Sequence, residues 1–572
     1  MKKKKKRKKK VRIVASEAVP IDLFLATMIF FVATMVVLGW YGYRHTKNNQ
    51  HFLLGRNKSS TMLIAISYGA TFLSTSAIIG FAGQTATYGI ITIWLCFLNL
   101  ALGLFVPFVV FGPRVRRIGK ELGASTFADL LGKIYKSKKI RGFTAAIIIV
   151  MMPIYCAAVM KGGVNAIAVL TGTMEYYSII LIIMAIAVGL YVVYGGILAV
   201  MYNDVFQASV MVIGIVVIFA VLLYTLGGFS DGFTSLNDLW SVGDPYPQGA
   251  KEGFMGFGSV PTFGSEAWWT VVSTFLLGVG IGAMTQPQLV VRFMSAKDDK
   301  MIKRSLIVGS LFIFAVIGCA YTVGALSNVY FFNTYGEFSF QYVVNTLGQG
   351  VDFIMPNLVL DLFSTYGAAG QVFICVFILA LLCAAISTAS ALLHTIGAAG
   401  GHDMYSIFKS RKTKEQKIAD FQSLRVNRMV TAITMILVVV YCYLMPKDII
   451  ASATSLFMGM TAAALLPLMA YGLFSKAPKT KIAVPSMIVG TATYLFWALF
   501  INARSSVFLP ICKWLTGSQV LFMGQDIMFV DALIVALPLS VLTLLIGFLW
   551  TRGTNSKASE ADGEAKEEIK DS

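Results

Sequence analysis

Residues 67–76 read SYGATFLSTS, and residues 278–287 read GVGIGAMTQP. Each stretch interrupts an apolar run with glycine, small hydroxyl residues or proline, which weaken a helix or remove a backbone donor. Unwound backbone at membrane depth is tolerated only where it lines a cavity. Broken helices at corresponding places in two halves of a membrane protein indicate a transporter binding site. For either stretch alone, glycine used for close helix packing is the competing interpretation.

The composition is that of a membrane protein. The 572 residues are 57% hydrophobic and 13% charged, whereas soluble domains are roughly 45–50% apolar and 25% charged. This excludes a soluble enzyme, a disordered protein and an ordinary nucleic-acid binder, and it makes the lipid bilayer a partner. The net charge is +19, and ten positive charges lie in residues 2–12, which leaves +9 for the rest.

Thirteen apolar stretches have the length of about 20 residues that a spanning helix needs. They are 20–43, 60–87, 88–112, 142–171, 176–194, 196–226, 268–292, 304–328, 369–399, 426–445, 449–474, 480–503 and 527–551. Five spans fill residues 60–226 and five fill 268–474, and each set begins with an interrupted stretch. Because five is odd, the second set has inverted topology. The sequence therefore predicts an all-α polytopic protein with a 5+5 inverted repeat, one extra N-terminal helix and two extra C-terminal helices.

The loops predict the orientation. Those on one side carry 32 Lys and Arg, and those on the other carry only Lys251, Lys447, Arg504 and Lys513. The positive side is usually cytoplasmic, which predicts a plasma-membrane protein with its N-terminus outside and its C-terminus in the cytoplasm. The basic N-terminal run would then lie outside, against the rule.

The chain divides into three parts by composition. Residues 1–19 are predicted to be a basic disordered tail, 20–551 a single transmembrane domain, and 552–572 an acidic cytoplasmic tail. The seven cysteines and four histidines have no metal-ligand spacing, so no metal cofactor is predicted from them.

Several short motifs, taken together, are specific to one family. They are FLLGR at 52–56, SYGAT at 67–71 with Gly80 and Tyr88-Gly89, YGG at 194–196 with AVMYNDVFQ at 199–207, QP at 286–287 with VRFMSAKD at 291–298, AAIST at 384–388 and DMY at 403–405. With these motifs the chain resembles the sodium:solute symporter family over about residues 20–550. The resemblance implies a LeuT-like fold and sodium-coupled import of a small organic solute by alternating access, with sodium as coupling ion and no other cofactor.

The resemblance also implies a sodium site. It would use the carbonyl oxygens of Ala70, Leu73 and Ala384 and the hydroxyls of Ser387 and Thr388. Depth along the helices agrees independently, since Ala70 lies ~15 Å and Ser387 ~18 Å from the same membrane face. The competing interpretation is that the two hydroxyls bond the carbonyl one turn back in their own helix.

Asp204 is predicted to lie ~12 Å inside the membrane from the cytoplasmic face. Carboxylates at such depth are expensive and usually functional, and the position matches a family aspartate near the sodium exit path. An interfacial acid, or one paired with a basic residue of a cytoplasmic loop, is the alternative.

The solute is expected between the two breaks. The candidate residues are Ser74, Thr75, Ser76, Tyr155, Lys161, Gly280 and Thr285. Lys161 lies ~15 Å from either membrane surface and could pair with a solute carboxylate. Alternatively, it snorkels along a wet vestibule or pairs with a resident acid.

Motif similarity favours a carboxylate such as pantothenate or a monocarboxylate. The alternatives are a sodium/proline-type amino-acid symporter, and an uncoupled facilitator or a solute sensor on the same fold. An intramembrane enzyme is disfavoured, because Asp204 is the only clear carboxylate in the apolar core and no GxSxG with a histidine partner occurs.

Overall fold

The computed structural model describes residues 19–46, 49–55, 60–242, 252–409, 416–445 and 450–568. The described residues are 85% helical and contain no β-strand. The predicted basic tail lies outside the described residues except for Val19. At the other end, helix Ala532–Glu568 continues through most of the predicted acidic tail.

Eleven helices among the described residues are long and apolar enough to cross a membrane, and a bent pair makes twelve. The eleven are Ile21–His45, Ile90–Glu121, Lys138–Leu170, Met174–Thr225, Glu266–Met294, Asp299–Tyr335, Gly367–Ile407, Ser423–Leu444, Ile450–Phe474, Thr480–Ile501 and Ala532–Thr551. The bent pair is Thr61–Phe72 with Ser76–Tyr88, at 51°. Shorter helices are Asn49–Leu54, Phe127–Ile134, Phe229–Val242, Gln341–Thr346, Val351–Phe353, Ile354–Ser364, Ile511–Thr516 and Asp526–Phe529.

The helical stretch Tyr177–Thr225 is 49 residues long and is kinked at Gly196, whose φ of 63° and ψ of −164° are not helical. A straight helix of that length would measure ~74 Å, about twice what one crossing needs. The kink falls at the boundary predicted between spans 176–194 and 196–226. Counting this stretch as two crossings would give the predicted thirteen, and that number remains a prediction.

Both predicted breaks interrupt their helices. Helix Thr61–Phe72 is followed by Leu73, whose φ and ψ are −86° and 90°. The chain resumes as a π-helix over Ser76–Phe81. The second span runs as a π-helix over Trp269–Gly278 and reaches the non-helical Gln286. Pro287 then begins the helix that ends at Met294, a position where its missing N–H costs nothing. We call these two spans the first and second broken helices.

Burial separates a central group of helices from a peripheral one. In Gly367–Ile407 and in Ile450–Phe474, 83% of an apolar stretch of 18 residues is buried, and in Lys138–Leu170 the share is 72%. The first span, Ile21–His45, has only 11% and the last, Ala532–Thr551, only 22%. The two breaks therefore face a centre that is built by the three most buried helices, while the terminal spans present apolar surface to lipid.

Candidate functional site: a cation site beside a hydroxyl cluster

The two halves of the predicted sodium site meet in the structure. The hydroxyl of Ser387 donates to the carbonyl oxygen of Ala70 at 3.0 Å and lies 3.3 Å from that of Ala384. The hydroxyl of Thr388 donates to the carbonyl of Thr71 at 3.1 Å. All five residues are buried. The carbonyl of Thr71 is a further candidate oxygen that the sequence did not indicate.

This arrangement is chemically suited to a hard cation. Carbonyls near the end of an unwound helix lack their usual backbone donors. Here the hydroxyls of another helix donate to the carbonyl oxygens of Ala70 and Thr71. A hydroxyl that rotates its proton away presents a lone pair, so Ser387 and Thr388 can change from donors to ligands. Leu73 is buried beside the cluster and its N–H bonds the carbonyl of Gly69 at 2.8 Å. Its place in the ligand set stays a prediction.

Asp204 pairs with Arg292. The Arg292 Nη2 lies 3.0 Å from Asp204 Oδ2, and both side chains are at most 2% exposed. The hydroxyl of Ser67 donates to the same oxygen at 2.6 Å, and Arg292 Nε donates to Ser67 at 2.9 Å. Asp204 is therefore paired with a basic residue, and that residue belongs to the second broken helix and not to a cytoplasmic loop.

Arg292 joins three elements of the core. Its guanidinium also contacts the hydroxyl of Thr71 and the carbonyl of Gln288. The pair thus ties the first broken helix, the second broken helix and the helix of Asp204 together, one turn from the carbonyls of the cation site. The other carboxylate oxygen of Asp204, Oδ1, has no hydrogen-bond partner among the described residues.

Three of the predicted solute residues, Ser74, Ser76 and Tyr155, lie in a second cluster of hydroxyls, beside Thr75. Tyr155 donates to Ser74 at 3.2 Å, and Thr75 donates to the carbonyl of Val159 at 2.8 Å. Ser76 lies 2.6 Å from the hydroxyl of Thr454. We call Ser74, Ser76, Tyr155 and Thr454 the hydroxyl cluster. It immediately follows the break that supplies Ala70 and Thr71.

Thr454 and Phe457 were not predicted. The ring of Phe457 stacks on Tyr155 with centroids 5.4 Å apart and planes at 18°. Both residues lie on Ile450–Phe474, whose apolar sequence gives no periodic signal of a polar face. Neither residue belongs to one of the two interrupted stretches, so nothing in the sequence singled them out.

Gly280 and Thr285 do not join the hydroxyl cluster. A methyl group on Gly280 would lie 2.6 Å from the side chain of Leu98, and one on Gly282 would lie 2.5 Å from Met458. Gly280 and Gly282 therefore lie at close helix contacts, where a larger side chain would have to displace a neighbour. Thr285 is buried, and its hydroxyl has no hydrogen-bond partner among the described residues.

Lys161 points away from the hydroxyl cluster. Its Nζ donates to the carbonyl of Met445 at 2.5 Å, whereas its neighbours Gly162 and Gly163 face Thr75 and Ala385. The structure therefore places the ammonium of Lys161 at the carbonyl of Met445 and not at the hydroxyl cluster.

We expect Lys161→Met to change the KM for solute by less than about threefold, because the hydrogen bond lost is to Met445. The loss of one charge-assisted bond should instead lower the melting temperature, since such bonds contribute about 1.5–3 kcal/mol. Initial rates of uptake and thermal unfolding of the purified protein measure the two effects. A KM raised tenfold for an anionic solute would place Lys161 in the solute path.

A network of charged side chains lies on the side of the molecule that carries the basic loops. Arg141 lies 2.8 Å from Asp403 and 3.3 Å from Asp129, and His402 lies 3.6 Å from Asp129. Burial raises the pKa of Asp129, but hydrogen bonds from His402 and Lys133 and the charge of Arg141 outweigh burial and hold that pKa well below its usual range. The two acids and His402 lie close enough to hold a metal ion. However, Arg141 and Lys133 already supply the countercharge.

The chain is similar to known transport proteins along most of its length. A model of the sodium:solute symporter family matches residues 51–490. The chain is 26% identical to the osmoregulated proline transporter OpuE of Bacillus subtilis over 85% of this chain and 90% of that protein. It is 24% identical to the sodium/proline symporter of Escherichia coli, over 83% and 88%.

Two further similar proteins are named for other solutes. The sodium/pantothenate symporter of Haemophilus influenzae is 22% identical over 78% of this chain and 83% of that protein. The structure of a Na+-coupled sialic acid symporter superposes with a TM-score of 0.68 at 18% identity, covering 92% of this chain and 96% of that one. At that identity the structural match shows the fold.

Proposed function

The chain belongs to the sodium:solute symporter family and is a transporter rather than an enzyme, and we propose that its solute is a small organic molecule with a carboxylate group. The observation that carries this proposal is the position of the hydroxyl cluster directly after the carbonyls of Ala70 and Thr71. A cation held by those carbonyls would lie beside the solute, so the two would stabilise each other when bound together. Such mutual stabilisation is the physical basis of coupling.

We infer that the two candidate types of solute differ in the charge partner that they need. An anion such as pantothenate or a monocarboxylate would need a positive partner, and the hydroxyl cluster contains none. Lys161, the nearest candidate in sequence, donates to Met445. A zwitterion such as proline needs no fixed countercharge, so the placement of Lys161 favours the amino-acid alternative.

The proposed cation site comprises Ala70, Leu73, Thr71, Ala384, Ser387 and Thr388, with Asp204 on the ion's path to the cytoplasm. The proposed solute site comprises Ser74, Thr75, Ser76, Tyr155, Thr454 and Phe457. We also propose that the protein lies in the plasma membrane with its basic loops and C-terminus in the cytoplasm, as the 32 cationic residues on that side indicate.

Uptake into liposomes that contain the purified protein tests the proposal. Labelled proline, pantothenate, lactate and glucose are offered with an inward sodium gradient, with equal sodium, and with potassium instead. We expect the sodium gradient to drive accumulation of at least one carboxylate-bearing solute and not of glucose. Protein-free liposomes are the control. Saturable uptake that is equal in potassium would identify an uncoupled facilitator, and preferred uptake of glucose would contradict the solute class.

A further inference from the structure

The chain between the last two spans folds back onto the transport core. We call residues 502–531 the outer segment, since the proposed orientation places it outside the cell. Its two ends are joined, because Asn502 Nδ2 donates to the carbonyl of Val530 at 3.0 Å and the N–H of Ala503 donates to that of Met528 at 2.9 Å. Gln519 also donates to the carbonyl of Ala503 at 2.9 Å. The outer segment therefore holds Arg504 in a fixed place.

Arg504 contacts both broken helices. Its Nη2 donates to the hydroxyl of Tyr88 at 2.5 Å, and Tyr88 is the last residue of the first broken helix. Its guanidinium carbon lies 5.4 Å from the ring centroid of Phe275, which belongs to the second broken helix. Cation–π contacts of this length are stabilising.

The two rings beneath Arg504 form a buried layer. Tyr88 and Phe275 have centroids 6.0 Å apart, and Phe275 packs edgewise on Phe81 at 5.5 Å. Tyr88 is 1% exposed, and Phe275 is fully buried. Ser76 lies twelve residues before Tyr88, ~18 Å along the helix, so this layer lies between the hydroxyl cluster and the outer surface.

The outer segment has a second, independent attachment. The N–H of Asp531 donates to the hydroxyl of Ser273 at 3.0 Å, and the Asp531 carboxylate lies 3.8 Å from the position that a methyl group on Gly278 would take. The segment is thus fixed to the second broken helix without Arg504. What Arg504 adds is the link across to Tyr88.

We propose that Arg504 is a positioning residue that latches the outer ends of the two broken helices together, and that the hydroxyl cluster opens to the outside only when the guanidinium leaves Tyr88. The proposal rests on the proposed function, in which solute enters between these helices. Gating motions of this kind, in which one bundle rocks about a central site, are general for broken-helix transporters.

Thiol labelling from outside tests the latch without relying on transport. Thr454→Cys places a reporter in the hydroxyl cluster, four residues into its helix and below the Tyr88–Phe275 layer. A membrane-impermeant methanethiosulfonate reagent is added to right-side-out vesicles, and the labelling rate is compared with that of the parent chain. In the Thr454→Cys background we expect Arg504→Gln and Tyr88→Phe each to raise the rate three- to tenfold. Lys513→Gln removes an exposed positive charge from the same segment and should leave the rate within twofold.

A second reporter separates latching from loosening of the whole fold. Thr395→Cys lies in a cavity with Leu53 and Asp403 on the cytoplasmic side and is labelled in inside-out vesicles. The latch predicts that its rate falls or stays constant in Tyr88→Phe, which keeps the buried ring and loses only the hydroxyl. Equal acceleration of both reporters, or an unchanged Thr454→Cys rate in both variants, would overturn the proposal. Because labelling needs no uptake, a failure of sodium coupling would leave this result interpretable.

Discussion

Replacing Arg292 by methionine is expected to reduce sodium-driven uptake at least a hundredfold. The substitution leaves the buried carboxylate of Asp204 without its cation, and breaking one partner of a buried pair costs roughly 3–5 kcal/mol. It also removes the hydrogen bonds that Arg292 donates to the hydroxyls of Ser67 and Thr71. Initial uptake rates in proteoliposomes, normalised to protein incorporated, measure the effect.

The matched control is Arg117→Met. Arg117 also pairs with an aspartate, Asp299, at 2.6 Å, but its side chain is 61% exposed. Exposed pairs contribute about 0–1 kcal/mol, so uptake should stay within twofold. The double variant Arg292→Met with Asp204→Asn should recover part of the lost activity, because it removes the unpaired charge. Wild-type uptake by Arg292→Met, or a double variant worse than the sum of both, would show that the pair is not a unit.

Removing both hydroxyls of the cation site should have the second-largest effect. We expect Ser387→Ala and Thr388→Ala each to raise the sodium concentration for half-maximal uptake about tenfold, and the double variant about a hundredfold. In the proposed site each hydroxyl is one of only a few oxygen ligands, because the other members supply backbone carbonyls. Sodium titration of uptake at saturating solute measures the shift.

Thr395→Ala is the control for a hydroxyl on the same helix. Its oxygen donates one turn back to the carbonyl of Ala391 at 2.8 Å, so its removal should leave the sodium dependence unchanged. If the Ser387 and Thr388 variants behave like Thr395→Ala, both hydroxyls are merely satisfying the carbonyls of Ala70 and Thr71, and the sodium site lies elsewhere.

The breaks, and the contact between Ala70 and Ser387, could be predicted because their signals are local. Glycine and hydroxyl residues inside an apolar run mark the interruption at Leu73 and Gln286, and rise per residue places Ala70 and Ser387 at one depth. The kink at Gly196 was likewise marked by adjacent glycines.

The partner of Asp204 could not be found in this way. Arg292 follows the proline that restarts the second broken helix, and by charge alone it resembles the first residue of a basic loop. Only the packing of Pro287–Met294 against the helix of Asp204 and the first broken helix places its guanidinium against Asp204, 88 residues away in sequence. Packing glycines such as Gly280 and binding glycines share one sequence pattern, so the sequence left that choice open and the position of Leu98 decided it.

The pairing of Asp204 with Arg292 also has an electrical consequence. The carboxylate and the guanidinium cancel, so the side chains of Ser67, Thr71, Asp204, Arg292, Ser387 and Thr388 together carry no net charge. The membrane potential therefore exerts no net force on this group when it changes its exposure without a bound ion. The field acts on sodium, for which a full crossing at 100 mV is worth about 2.3 kcal/mol. Voltage thus biases the loaded step and leaves the return of this group with no net charge to move.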